Sequence, residues 1–325
     1  MKYITYILKV REFSIIGLLI LYMLFVSTIN PAFFKFDSLA LIMKSSLILV
    51  ILAIGQSFVL FTRNIDVSVG STMGLSAAVC GMLLTEQYSV ASTIIFVLLV
   101  GAGIGLINGI GVTKFRVPSI IMTLGMLGVI RGLMLIYTDG KWIEDIPNSY
   151  KKLSSVTLFG LPVMVWIVII ILFIAYCVLT KVPFGRYFYA VGDNEDGARL
   201  IGIPVNRVKI LAFILSGVSG AIAGCLFVMN VGFVPNQTGT GIELQVIAAA
   251  VLGGIHLKGG VGSVFGAALG AIFLETISSS LVYLKVPAFW NSAISGFLLL
   301  LIIILDSSLQ KWNERERLKQ RGVKG

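Results

Sequence analysis

The sequence predicts an all-α integral membrane protein, a polytopic bundle of about ten transmembrane helices with short or broken members, and three observations predict it. Hydrophobic residues make up 57% of the 325 positions and charged residues 12%, with a mean hydropathy of +0.99; soluble domains carry about 25% charge. The apolar residues gather into runs near the roughly 20 residues a helix needs to cross a bilayer. The basic residues, which leave a net charge of +10, cluster between those runs. That pattern orients a chain in a membrane and does not build one basic face for nucleic acid.

The expected spans run from Phe13 to Ile29, Leu39 to Phe61, Val69 to Leu84, Val90 to Val112, Val117 to Tyr137, Leu161 to Leu179, Ile210 to Val231, Leu244 to Ile255, Val264 to Leu284 and Val286 to Leu305. The first has a basic flank but no small-x-small cleavage site after it, so it is expected to stay as an uncleaved span. An even number of spans puts both termini on one side. With that alternation eighteen Lys and Arg residues fall on the side of the termini and six opposite, with Arg131 inside a span. Both termini are therefore expected in the cytoplasm.

Small residues recur every four positions at Gly101, Gly105 and Gly109, at Gly220 and Gly224, and at Gly266 and Gly270. On helices these stripes let backbones approach closely, which predicts tight packing and nothing about a substrate. Cys80, Cys177 and Cys225 are isolated in apolar segments, so they read as small buried hydrophobes with no disulfide framework or zinc site. His256 is the single histidine, which weakens any histidine relay or multi-histidine metal site. One internal echo stands out: Gly70-Ser71-x-x-Gly74 after Asn64-Ile65-Asp66, and Gly262-Ser263-x-x-Gly266 after Gly254-Ile255-His256. Broken segments at corresponding places of two halves often mark a transport path.

Polarity within the apolar stretches is concentrated in a few places. In FTRNIDVSVGS, residues 61–71, Arg63 ends the second span, where it can snorkel, and Asp66 or Ser68 can cap the next helix. Arg131, Glu243 and Glu275 lie in or near spans, where an unpaired charge costs about 2.5–3.5 kcal/mol on insertion scales. The longest loop on the side of the termini, residues 181–209, reads KVPFGRYFYAVGDNEDGARLIGIPVNRVK. Asp193 or Asn194 can cap a short helix with Glu195 and Asp196 in its first turn, Gly202 can end it, and Pro204 blocks its continuation. Such a helix exposes Ala198, Leu200 and Ile201, and it is too short to stand alone in water. It docks either on a partner or on the protein's own face.

The stretch AVGDNEDGARLIGIPVNRVKI resembles the cytoplasmic coupling loop of permease subunits in bacterial ATP-binding-cassette sugar importers of the ribose type. The EAA-x-x-x-G pattern of importer permeases maps onto Asp196, Gly197, Ala198 and Gly202, with Asp in place of Glu and Gly197 in place of Ala. The second change costs about 1 kcal/mol of helix propensity. NIDVSVGS is similar to the GIDLSVGS block of the same family. TRNIDVSVGS, TDGKWIEDIPN and PNQTGTGIE look most like permeases of importers for autoinducer-2, a small furanose-like signal.

The resemblance implies a single permease domain over residues 1–325, with a coupling loop at 181–209. Residues Gly192, Asp193, Asn194, Glu195, Asp196, Gly197, Ala198, Arg199, Leu200 and Gly202 would meet an ATPase subunit. It further implies two ATPase domains, a second and paralogous permease, an extracytoplasmic substrate-binding protein and a bacterial cytoplasmic membrane. The chain has no G-x-x-x-x-G-K-[ST] loop, so it should hold no cofactor, with ATP and Mg used by the partner. A path for a polyhydroxylated ligand needs polar groups at membrane depth: Asn64, Asp66, Ser68, Asn236, Gln237, Thr238 and Asn291. Asn108 and Thr123 read better as interhelical hydrogen bonds. Trp142, Glu144 and Asp145 either contact the binding protein or form a solvated loop. Ribose, rhamnose or another monosaccharide is the alternative cargo. An ion-coupled secondary transporter using Asp66 or Glu275 is the reading from a different class, and a membrane enzyme lacks any acid-base or metal cluster at usable spacing.

Overall fold

The computed structural model of the chain describes residues 11–287 and scattered positions from 290 to 304. The first nine expected spans are present as helices. They are α1 (Arg11–Ile29), α2 (Phe36–Phe61), α3 (Val69–Thr85), α4 (Val90–Thr113), α5 (Ser119–Tyr137), α7 (Val163–Lys181), α10 (Val205–Val231), α11 (Ile242–Leu252) and α12 (Val264–Tyr283). Between them lie the short α6 (Asn148–Lys152), a two-stranded hairpin of β1 (Thr157–Leu158) and β2 (Leu161–Pro162), and the paired α8 (Gly185–Asp193) and α9 (Glu195–Leu200). The expected tenth span, with Asn291 in it, lies largely outside the described residues, as do Lys2, Lys9 and the basic C-terminal tail.

Seven of these helices are long and apolar enough to cross a membrane. They sort into a core and a rim. The apolar stretches of α2, α10 and α12 are 61%, 61% and 67% buried, whereas those of α1 and α5 are 11% and 17% buried. Leu18, Leu21 and Phe25 of α1, Leu99 of α4 and Phe173 of α7 accordingly face outward, as lipid-facing residues do. The small-residue stripes are seams of close packing between these helices. A Cβ on Gly105 would stand 2.2 Å from the Phe213 carbonyl oxygen of α10, and one on Gly224 2.7 Å from the Met73 oxygen of α3. One on Gly270 would stand 2.1 Å from the Ala249 oxygen of α11. Of the cysteines, Cys80 and Cys225 are buried as expected; the Tyr150 hydroxyl lies against both, donating to the Cys225 carbonyl at 3.0 Å.

Two of the nine helices at expected spans are short, and each follows an extended segment. At roughly 1.5 Å per residue α3 is about 25 Å long and α11 about 16 Å, both short of a ~30 Å hydrocarbon layer. After α2 ends at Phe61, residues 62–68 turn back along it, so that Asp66 lies beside Gln56 of α2 and Ser216 in the middle of α10. From the opposite end the chain after α10 pairs Val234 with Ile143, then descends along α3 from the level of Gly81 to that of Gly70 before α11 begins. The two breaks meet where the Gly239 and Gly70 backbones touch. The glycine-serine echo in the sequence is not this relationship. Ser263 caps α12, accepting from Gly266 N–H at 3.4 Å, whereas Ser71 lies inside α3.

Candidate functional site

The loop 181–209 folds into more than the single short helix expected from it. α8 forms on the aromatic stretch before the cap, burying Gly185, Phe188, Val191 and Gly192, and α10 starts at Val205, directly after Pro204. Of the two cap candidates Asn194 is the one used: its side chain accepts from Gly197 N–H at 2.9 Å. α9 ends in a Schellman turn. Gly202, at φ +83°, donates to the Arg199 carbonyl and Ile203 N–H reaches back to the Ala198 carbonyl, both at 3.0 Å.

Charge fastens this helix to the bundle. Glu195 accepts from Arg199 at 2.8 Å and from Lys209 of α10 at 2.6 Å, and Arg199 also reaches Asn206 at 3.3 Å. Partial burial pushes the Glu195 carboxyl up, but the hydrogen bonds and charges of Lys209 and Arg199 outweigh it and hold the group below its ordinary range. Ala198 is a correction to the expected exposed set. It is 3% exposed and packs inward, while Leu200 and Ile201 are 88% and 76% exposed. The reason is geometric: the inward face of a two-turn helix is one residue wide here, and Ala198 holds it. The departure at Gly197 also has a local cause, since a Cβ there would crowd the capping Asn194 amide at 3.0 Å.

The end of α8 rests on a three-way seam. Gly260 N–H donates to the Phe61 carbonyl at 3.1 Å. A Cβ on Gly192 would stand 1.8 Å from that same oxygen, and one on Gly260 2.9 Å from Asp193. The loop 181–209 thus sits directly on the last residue of α2 and on the loop that follows α11.

Above this seam, Asp66 and Ser68 form one buried network, with Asn64 beside it. Asp66 is 2% exposed; its Oδ1 accepts from the Ser68 N–H at 2.9 Å and hydroxyl at 2.6 Å, and its Oδ2 from the Ser216 hydroxyl at 2.7 Å. Asn108 donates to Ser68 Oγ at 2.9 Å. The extended backbone is satisfied by hydroxyls of α5, with Ile65 N–H donating to Ser119 at 3.2 Å and Val67 N–H to Thr123 at 3.0 Å. Gln56, with its amide turned to satisfy both ends, brackets the Asp66 peptide at 3.2 Å. Asn64 turns back to the Thr62 carbonyl at 2.8 Å. Non-helical backbone at membrane depth must be satisfied inside the protein, and that is the work these polar residues do. Asn108 and Thr123, expected to hold interhelical bonds, instead bond to this extended run, at Ser68 and at Val67.

The second group of path candidates is divided. Asn236 donates to the Gly140 carbonyl at 2.9 Å near the far surface, Gln237 is exposed, and Thr238 is buried against α3. Arg131 of α5 donates to the Thr238 carbonyl at 2.7 Å and feels the charge of Glu243, in the first turn of α11. Beside this loop a cleft of about 200 Å³ opens between α2, α3, α10, α11 and α12. Ser45, Asn230, Gln245 and Glu275 bring polar groups to it, and Met73 and Phe227 bring apolar walls. Of these the sequence singled out Glu275 alone, as a charge within a span. The signal that could have found the rest is the placement of Ser45, Asn230 and Gln245 in otherwise apolar helices. Among the described residues no group of three His, Cys, Asp or Glu side chains gathers as a metal site would.

Comparison with known proteins adds the following. Residues 38–303 match the family described as branched-chain amino acid transport system, permease component. The autoinducer 2 import system permease protein LsrC of Photorhabdus laumondii subsp. laumondii is 46% identical over 297 residues, covering 91% of this chain and 89% of that protein. The protein of the same name from Klebsiella pneumoniae subsp. pneumoniae is 47% identical over 305 residues, covering 94% and 89%. That of Escherichia coli O9:H4 is 43% identical over 311 residues, covering 96% and 91%. No solved structure matches the chain.

Proposed function

The chain belongs to the family of branched-chain amino acid transport system permease components, and from that premise we propose that it is the permease subunit of an ATP-binding-cassette importer. Its cargo is a small sugar-like molecule, autoinducer 2 before ribose, rhamnose or another monosaccharide, brought into the cytoplasm by alternating access. The cargo is supported by relatives named for autoinducer 2 import that align with more than nine-tenths of the chain.

The observation that carries the mechanism is α9. It is capped, closed by a Schellman turn and clamped to α10, and yet it presents Leu200 and Ile201 to the outside. A two-turn helix held this firmly with its apolar tip exposed suits insertion into a groove of a partner. We assign that partner as an ATPase subunit that supplies the ATP and Mg chemistry. A paralogous permease and an extracytoplasmic binding protein complete the assembly. The chain then lies in the bacterial cytoplasmic membrane with α9 and both termini in the cytoplasm. The stacked Trp142 and Phe233, 6.0 Å apart beside Glu144 at the other end, face the binding protein.

The test is uptake by the reconstituted four-component complex of labelled autoinducer 2 against labelled ribose. ATP-dependent uptake of autoinducer 2 in preference to ribose is expected. Uptake abolished by protonophores and indifferent to ATP depletion would overturn the reading in favour of an ion-coupled transporter.

A further inference from the structure

The cleft between α2, α10, α11 and α12 is not part of the coupling machinery, nor of the Asp66 network. Its polar side chains come from four different helices: Ser45 from α2, Asn230 from α10, Gln245 from α11 and Glu275 from α12. Polar groups scattered at random over apolar helices would not converge on one opening, and a carboxylate placed in a span is costly enough to call for a reason. Glu275 Oε1 accepts from Ser279 Oγ at 3.1 Å, and no cation pairs with the carboxylate among the described residues. The volume of about 200 Å³ leaves room for a five- or six-membered ring with its hydroxyls. Met73 and Phe227 supply apolar surface for the C–H face of such a ring.

We propose that this cleft is a transit subsite for a small vicinal diol, in which the two oxygens of Glu275 accept from neighbouring hydroxyls while Asn230, Gln245 and Ser45 engage the remaining ones. The chemistry fits a diol specifically. A carboxylate presents two acceptors at a fixed spacing and no donor, whereas side-chain amides and a hydroxyl both donate and accept. The ligand class follows from the permease reading, and the position of the cleft beside the break at 235–241 places it where a descending substrate would pass.

The experiment uses the complete importer in proteoliposomes and reads two quantities separately: ATP hydrolysis stimulated by loaded binding protein, and molecules of labelled ribose or autoinducer 2 taken up per ATP. With Glu275→Gln the stimulated hydrolysis is expected to persist while uptake per ATP falls about tenfold, the loss of one charge-assisted hydrogen bond. Uptake of the corresponding deoxy sugar, which lacks the diol, should change little. Unchanged uptake per ATP in both Glu275→Gln and Asn230→Leu would overturn the subsite. Failure of the unaltered complex to couple ATP to uptake would instead overturn the importer reading. Should either variant fail to assemble, Ser45→Cys gives a second readout: millimolar ribose or autoinducer 2 is expected to slow its labelling by a small methanethiosulfonate, and no slowing by either overturns the proposal.

Discussion

Gly192→Ala tests the link between the segment carrying α8 and α9 and the rest of the bundle. The added methyl would stand 1.8 Å from the Phe61 carbonyl oxygen and 2.6 Å from the Gly260 nitrogen, where ordinary contact begins at 3.4 Å. Both neighbours are backbone, so no side chain can swing away. Either α8 lifts off α2, or the Gly260-to-Phe61 hydrogen bond of 3.1 Å opens. Overpacking costs about 1–3 kcal/mol and a lost hydrogen bond about 0.5–1.5 kcal/mol, so either outcome costs on the order of 1–3 kcal/mol. That is enough to displace the segment without preventing insertion of the spans. In the reconstituted importer, basal ATP hydrolysis should survive and stimulation by loaded binding protein should fall at least tenfold, with a lowered unfolding midpoint in detergent. Gly103→Ala is the control, because nothing lies within 4 Å of its Cβ and helix propensity there gains up to about 1 kcal/mol. A Gly192→Ala complex with the midpoint and coupling of Gly103→Ala would refute the reasoning.

Three further outcomes are expected. Asp66→Asn keeps an acceptor for the Ser68 N–H and should transport near normally. Asp66→Ala orphans three buried donors and should cost about 2–4 kcal/mol, and a midpoint unchanged in Asp66→Ala would show that the network is dispensable. A cysteine at Leu200, which is 88% exposed, should crosslink to the ATPase subunit, while one at the buried Ala198 should not; the reverse pattern would mean that α9 is turned over. Because Glu195 titrates below its ordinary value of 4.5 in the folded chain, its clamp is fully present above that pH and is lost as the pH falls through the lower folded value. The Leu200 crosslink yield should therefore hold from neutral pH down to about 5 and drop in stronger acid, and Lys209→Met should abolish that drop.

Local features were legible in the sequence because their chemistry is contiguous. Asn194, Gly202 and Pro204 spell out a cap, a turn and a stop within eleven positions, and each stands where that reading places it, at the start, the end and just beyond α9. The stripe Gly101, Gly105 and Gly109 announced close packing; its partner α10 came only with the fold. Ala198 was misplaced because a helix so short has too few residues for a period to show its inner face. The polarity of Asp66 was legible, but its purpose was not. A satisfied network and a ligand site use the same residue types, and the difference lies in Ser216, Ser119 and Thr123, which arrive from other helices. The cleft was illegible for the same reason, since Ser45 and Glu275 are far apart in the chain and meet only when α2 and α12 pack.

The geometry also decides which parts can move together. α11 begins at the cleft with Ile242 and Gln245, and the loop after it places Gly260 on Phe61 and Asp193. About 16 Å of unbroken helix joins the two. It is backed by α12 so closely that a Cβ on Gly266 would stand 2.0 Å from the Gly253 carbonyl oxygen. α2 makes the same connection, from Phe61 at the seam to Ser45 at the cleft. On our reading, a displacement of the segment carrying α9 is expected to reach the cleft through these two helices. The extended run 62–68 is tied by its own hydrogen bonds to hydroxyls of α5 and α10. On this arrangement Gly192→Ala and Glu275→Gln fail at different steps, the first losing stimulated hydrolysis and the second losing substrate moved per ATP. If the two variants showed the same defect, the two helices would not be carrying the signal.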